Sequence, residues 1–328
     1  MRRVMRSSGD LIADRRYQYG VELSSGGDHA AAADLFKQAL ERAPHWADAW
    51  FALARERAAT HDPAGAAAAF RESLRLDPED SLGASLELSR LGASVEIDAA
   101  PRSYVEGLFN AYAEDFDKAL VERLGYATPQ QLARVVRAMS GVGERHFQRV
   151  LDLGCGTGLS GEAFAAAAGW LEGVDLSEAM LGEARAKGVY SELARADIVS
   201  FLSATPHDYD LIVAADVFIY FGDLKRLFAA AAARLVPGGL FAFSVERGAG
   251  ADVTLRDSLR FAHSADYVRN ALSGAGLELA NIEQAVLRKD RGADIDGLLA
   301  VARKPVEAAQ SHPHETAALQ APFIAKPN

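Results

Sequence analysis

The chain has 328 residues, enough for about two domains of ordinary size, and its 49% hydrophobic and 24% charged residues are the balance of a soluble globular protein. A net charge of −10, with no block of lysine and arginine, argues against nucleic acid as the main partner. The single cysteine, Cys155, excludes a disulfide framework and a cysteine-based zinc site, and no metal is expected.

The amino terminus, "MRRVMRSSGDLIADRR", starts basic but has no apolar core segment before Asp14, so it does not read as a secretory signal. Alanine runs such as Ala165 to Ala168 are too short to span a bilayer. The expectation is a cytoplasmic protein without a membrane partner.

Residues 1–95 read as an all-α domain that repeats itself. "GDHAAAADLFKQALERAP" (Gly27 to Pro44) lines up with "HDPAGAAAAFRESLRLDP" (His61 to Pro78), pairing Asp28 with Asp62, Phe36 with Phe70, Leu40 with Leu74 and Pro44 with Pro78. Tyr17 falls opposite Phe51, and every pair is 34 residues apart, the period of the tetratricopeptide repeat. Small alanines let paired helices approach, Phe and Leu fill the gap, and Pro stops the second helix. The repeats run about 12–45 and 46–79, with a capping helix at 81–92. So short a solenoid leans on the rest of the chain, and it suits docking of a protein partner or self-association rather than catalysis.

The periodicity lapses around Ser94 to Ser103, which divides this domain from one at 96–304. There, helices at 103–140 come first: Leu108, Tyr112, Phe116, Leu120 and Leu124 keep helical spacing, and "TPQQLARVVRAM" opens with a capping threonine and a first-turn proline. From Arg149 onward short apolar strands, "RVLDL", "WLEGVD", "YDLIVAAD" and "GLFAFSVE", alternate with helical stretches, the pattern of a parallel sheet covered on both faces. "LELANIEQAVLRKD" and "IDGLLAVARK" have no helix between them and read as an antiparallel hairpin. Residues 305–328, with four prolines and no period, read as a disordered tail.

The stretch "RVLDLGCGTGLSG" (Arg149 to Gly161) carries two overlapping glycine patterns. Gly156 to Gly161 spells the dinucleotide fingerprint G-x-G-x-x-G; Gly154, Gly156 and Gly158 spell G-x-G-x-G behind an acidic Asp152. A dinucleotide site needs its first glycine directly after the strand, and here that residue is Gly154. Gly161 then reads as a small helical residue packed close to the sheet. Asp152 at the strand end suits the ammonium of a methionine moiety and would repel a pyrophosphate, so the second pattern and S-adenosylmethionine are favoured. Asp175 ends the next strand, 21 residues after Gly154, where it can hold both ribose hydroxyls, with Leu176 against the adenine. Asp197 and Ile198 follow the third strand, to accept from the adenine amino group and cover its ring.

On "LDLGCGTG", "GVDLSEAML", "ADI", "LIVAADVFIYFGDL" and "LVPGGLFAFSVE", the run from Arg149 to about Lys304 resembles a class I S-adenosylmethionine-dependent methyltransferase. More narrowly, with "YVEGLFNAYAEDFDKALVERLGYATP", "AKGVYSELARADI" and "RFAHSADYV", the chain resembles bacterial methyltransferases carrying amino-terminal tetratricopeptide repeats. The resemblance implies an α/β, Rossmann-like, seven-stranded sheet ending in the antiparallel hairpin. It also implies a helix ahead of the first strand that closes over the cofactor. Tyr112 is the preferred aromatic of that lid, ahead of Tyr126 and Tyr104, although Tyr112 and Phe116 also fit a plain packed helix face.

Methyl transfer from a sulfonium needs alignment and a dry pocket, and a base only where the nucleophile arrives protonated. The pocket should open at the carboxyl ends of strands one, four and five. "AADVFIYFGDL" places Asp216, Phe218 and Tyr220 there; it lacks the Asn-Pro-Pro-Tyr type of motif of enzymes that methylate base amines. Asp216 reads equally as a turn carboxylate or a site residue. His263, in a loop before a helix capped by Ser264, is a candidate base or acceptor partner, or else a packing residue. Arg260 would grip a substrate carboxylate or merely face solvent, and Glu246 and Arg247 either line the site or pair with each other. The expected activity is methyl transfer to O or N of a small molecule, with Asp216, Tyr220 and His263 as candidate catalytic residues. A protein methyltransferase whose repeats dock the substrate, a non-catalytic binding protein and a nicotinamide enzyme are the alternatives.

Overall fold

The computed structural model describes residues 6–93, 97–110, 125–139, 147–250, 252–290 and 292–306. Tyr112 and Phe116, with the rest of 111–124 and residue 140 of the expected lid at 103–140, and all but the first two residues of the expected tail fall outside the described residues.

The amino-terminal part is helical: α1 (Leu11–Ser25), α2 (His29–Arg42), α3 (Ala47–Ala59), α4 (Pro63–Leu76) and the short α5 (Ala84–Arg90). The offset of 34 residues is visible in the packing. Asp28 and Asp62 cap α2 and α4 by accepting from backbone N–H groups three residues on. Tyr17 meets Phe36 with ring centroids 5.1 Å apart, and Phe51 meets Phe70 at 5.3 Å. Gly20 is the point of closest approach, since a Cβ there would come within 2.7 Å of the Phe36 ring.

The carboxy-terminal part is a nine-stranded sheet. Its strands are β1 (Phe147–Leu153), β2 (Ala168–Asp175), β3 (Glu192–Arg195), β4 (Tyr209–Ala214), β5 (Leu235–Arg247), β6 (Val253–Leu255), β7 (Phe261–His263), β8 (Glu278–Asp290) and β9 (Ala293–Arg303). The helices are α6 (Arg102–Asn110), α7 (Thr128–Met139), α8 (Leu159–Phe164), α9 (Glu178–Lys187), α10 (Ile198–Ala204), α11 (Lys225–Arg234) and α12 (Ala265–Gly274). β3, β2, β1, β4 and β5 are parallel neighbours in that order, and β9 then β8 continue antiparallel beyond β5. Those seven match the expected sheet and its reversed hairpin. Two short strands are a correction: β7 pairs parallel with Glu246 and Arg247 of β5, and β6 pairs with β7. Because β9 already holds the other edge of Glu246, the β6–β7 hairpin continues the edge that β4 has left.

Strand alternation splits the core in two. Leu151, Leu153, Ile212, Phe241 and Phe243 face a cluster with α10, α11 and α12, where Phe218, Phe228, Phe241 and Phe243 interlock. Val150, Leu211, Val213, Leu240 and Ala242 face α7 and α8. A third cluster joins the two parts of the chain: Leu86 of α5 is buried with Ala100, Ile219, Tyr220 and Phe261, and Tyr104 packs against them. The connecting segment is pinned there, with Ala100 N–H donating to the Tyr220 carbonyl at 2.8 Å and Gly222 N–H to the Asp98 carbonyl at 2.7 Å. No helix among the described residues is long and apolar enough to cross a membrane.

Candidate active site

At the carboxyl ends of β1, β2 and β4 lies a cavity of about 460 Å³. Its floor is the turn from β1 into α8. Gly154, Gly156 and Gly158 take φ of +64°, +54° and +93°, values that side chains resist, whereas Gly161 lies inside α8. The glycines that the backbone requires are therefore those of G-x-G-x-G. Gly161 is small for another reason: a Cβ there would come within 2.4 Å of the Tyr190 ring. Gly156 borders the cavity with nothing within 4 Å of a would-be Cβ, so any side chain would take up cavity space.

Asp175 stands at the end of β2 on the cavity wall. Its Oδ2 accepts from Gly156 N–H at 3.0 Å and its Oδ1 from Ser177 N–H at 2.8 Å, while burial raises its pKa. Leu176, Ile198 and Asp197 line the same end. Asp197 caps α10 through Ser200 N–H at 2.9 Å and pairs with Arg102 at 2.7 Å. Arg102 belongs to one polar face of α6: Glu106 pairs with Arg195 at 2.7 Å, and Ser177 donates to Asn110 at 2.6 Å. Spacing of four residues puts all three on one stripe of α6, which is thereby tied to the loops after β2 and β3. The stripe beside it turns Val105 and Phe109 to the cavity, with Phe109 edge-on to Tyr220 at 5.7 Å.

The far end of the cavity is lined by Tyr126, Asp216, Ile219, Tyr220, Arg260 and Arg288 among others. Asp216 takes φ of +57°, an uncommon conformation for a residue with a side chain, directly after β4. Its backbone N–H donates to Ser244 Oγ at 2.8 Å and its Oδ2 accepts from Arg288 at 2.6 Å. Arg288 also bonds Glu246, and Arg256 reaches the other Glu246 oxygen at 3.3 Å. Burial would lower the Arg288 pKa, but Asp216 and Glu246 hold it above its ordinary value. Nothing in the sequence marked Arg288. In a regular strand it would alternate with its neighbour, but the register shifts between Val286 and Arg288, so Leu287 and Arg288 are both buried in succession.

Three sequence expectations are corrected. His263 lies in β7, not in a loop, and is fully buried without lining the cavity; its Nε2 lies 3.3 Å from the Gly222 carbonyl, and burial lowers its pKa to about 4. Asp152 is likewise fully buried and outside the cavity lining. Alternation turns it toward the α8 face, where the Tyr190 hydroxyl donates to its Oδ2 at 2.6 Å and receives Gly161 N–H at 3.1 Å. Its Oδ1 is buried with no hydrogen-bond partner, and burial pushes its pKa up to about 7. Asp152 is thus tied through Tyr190 to the glycine turn from beneath. Glu246 and Arg247 do not pair with each other: Glu246 meets Arg288 and Arg256, and Arg247 meets Gln284 at 2.7 Å. Cys155 lines the cavity but is buried, with its thiol pKa raised by burial, as suits a small filler.

Residues 150–239 match a family described as "Methyltransferase domain". The chain is 30% identical over 186 residues to the ubiquinone biosynthesis O-methyltransferase of Thiobacillus denitrificans, an alignment covering 48% of this chain and 79% of that one. Its likeness to the protein of that name from Aromatoleum aromaticum is 34% over 101 residues, 30% of this chain and 43% of the relative. Among solved structures it is similar to the N-methyltransferase NodS from Bradyrhizobium japonicum WM9 in complex with S-adenosyl-L-homocysteine, at 28% identity and a TM-score of 0.44, covering 54% of this chain and 85% of that one. A β1–α8 turn built on three left-handed glycines, an acidic end to β2 and this kinship agree: the chain belongs to the class I S-adenosylmethionine-dependent methyltransferases.

Proposed function

We propose that the chain transfers a methyl group to an oxygen or nitrogen of a small-molecule acceptor held at the far end of the cavity. The observation that carries this is the continuity of one cavity from Gly156 and Asp175 to Tyr220 and Arg260. Its volume of about 460 Å³ suits a cofactor with a small partner. The O-methyltransferase names of the relatives favour oxygen.

In this reading Gly154, Gly156 and Gly158 let the backbone approach the cofactor, and Asp175 receives the ribose hydroxyls on the lone pairs that Gly156 and Ser177 leave free. Leu176 and Ile198 flank the adenine, with Asp197 at its edge. S-adenosylmethionine supplies, when bound, a methyl group already activated on a sulfonium. What remains for the chain is to line up the acceptor and exclude water. Tyr220 and Asp216 border the acceptor, Arg288 fixes the Asp216 carboxylate, and α6 covers the opening with Val105 and Phe109. No histidine is among the described residues lining the cavity, so proton removal falls to a lining carboxylate, Asp216 being the one at the acceptor end after β4, or to solvent.

The equal offsets of Asp28 and Asp62, and of the pairs Tyr17–Phe36 and Phe51–Phe70, support two tetratricopeptide repeats at about 12–45 and 46–79. Through α5 they buttress the wall that carries Ile219 and Tyr220.

Calorimetric titration with S-adenosylmethionine and its demethylated product tests the cofactor half. Asp175→Ala should weaken both by about a hundredfold, the loss of hydrogen bonds to a charged acceptor. Binding unchanged in the variant would remove Asp175 from the site.

A further inference from the structure

Among the cations lining the cavity, Arg260 combines partial burial with a distant counter-charge: Arg226 is exposed, and Lys289 is an exposed ammonium with Asp294 at 3.9 Å. Arg288 is bonded by both Asp216 and Glu246, and Arg102 by Asp197. Arg260 has Asp290 as its nearest carboxylate among the described residues, at 4.0 Å, although its side chain is only 28% exposed. A guanidinium presents five donors in a planar fork, so one largely withdrawn from water with so distant a counter-charge has donors to spare.

The backbone adds a second observation. Leu259 is held at φ of +58°, a conformation that costs a leucine energy and that the surroundings must enforce. They do: Leu259 N–H donates to the Arg256 carbonyl and Arg256 N–H to the Arg260 carbonyl, both at 2.9 Å. Arg256 in turn donates to the Arg247 carbonyl at 2.6 Å. This pinned turn joins β6 to β7, the hairpin added to the seven strands of the main sheet, and it delivers Arg260 into the cavity beside Tyr220.

We propose, resting on the small-molecule reading above, that the methyl acceptor is a small aromatic acid whose carboxylate is bound by Arg260. The aromatic rings of Phe109, Tyr126 and Tyr220, which line this end, suit a ring. A planar fork suits a carboxylate bound through both oxygens. Asp98 and Asp290 line the same cavity, so a single negative charge is accommodated where a dianionic phosphate would meet like charges.

The test uses the full chain saturated with S-adenosylhomocysteine, whose own binding is recorded first in the same calorimeter. 4-Hydroxybenzoate and its uncharged analogue 4-hydroxybenzamide are then titrated. The acid should bind at least about tenfold more tightly than the amide. Arg260→Gln should erase that preference while leaving S-adenosylhomocysteine binding intact, and Arg260→Lys should retain part of it. Equal affinity for acid and amide, a preference that survives Arg260→Gln, or no binding of either ring at millimolar concentration overturns the proposal. If Arg260→Gln fails to fold, the acid–amide comparison on the unaltered chain decides alone. Product binding in the same cell separates these failures from a failure of the methyltransferase reading.

Discussion

Asp152 and Arg260 are the two ionisable side chains whose surroundings say most about how this cavity is built. Burial holds the Asp152 carboxyl protonated up to about pH 7, against an ordinary value of 3.8. Between those values the folded chain binds a proton that the unfolded chain has released. The stability Asp152 contributes is therefore complete at acid pH and declines as pH rises toward 7. Asp152→Asn keeps an acceptor for the Tyr190 hydroxyl and cannot ionise, so it should gain on the parent chain across that window. Urea unfolding at about pH 4.5 and about pH 8 measures this. A difference that does not change with pH would mean that Asp152 ionises freely in the fold. At this scale the sequence was readable where spacing alone fixes geometry: three glycines after a strand, and Asp175 at the end of the next. It was misleading where a neighbour distant in the chain decides, because nothing near Asp152 announces that Tyr190 covers it. For His263, the pattern gave no warning that it ends a three-residue strand between β5 and β6.

Among the elements, the β1–α8 turn is the most tightly specified. Gly161 and Gly173 both face the Tyr190 ring, with would-be Cβ atoms at 2.4 Å and 2.8 Å from it. Gly161→Ala should push Tyr190 off Asp152 and cost about 1–3 kcal/mol, the usual range for overpacking. A urea midpoint equal to that of the parent chain would contradict this. Six of the seven main strands, the two of the final reversed hairpin included, were legible because each is a run rich in apolar residues bounded by turn residues. β6 and β7 were not, since three residues are too few to show a period of two. Arg288 was hidden by a bulge, a change of register that leaves no trace in composition.

Taken whole, the molecule shares one apolar cluster between its helical and sheet parts: Leu86 comes from α5, Ile219 and Tyr220 from the turn after β4, and Phe261 from β7. A shared core couples the two parts, so the full chain should unfold in a single calorimetric transition. Two resolved transitions would show the repeats to be an independent unit. The sequence offered the boundary near residue 96 as a lapse of periodicity, and it also offered the need for support, since two repeats are fewer than the three or so that stand alone. Which surface gives that support was not legible, because it joins residues more than a hundred positions apart.

The lone Cys155 has a practical side. It is buried against the glycine turn, with its thiol pKa raised by burial, so it is a poor target for alkylating dyes while the chain stays folded. A cysteine introduced at exposed Asp257, on the tip of the added hairpin and 3.6 Å from Arg90 of the helical part, would then take a fluorophore almost alone. The chain comes ready for site-specific labelling without first being stripped of its native thiol, and the emission of that dye would watch the seam between its two halves as ligands enter.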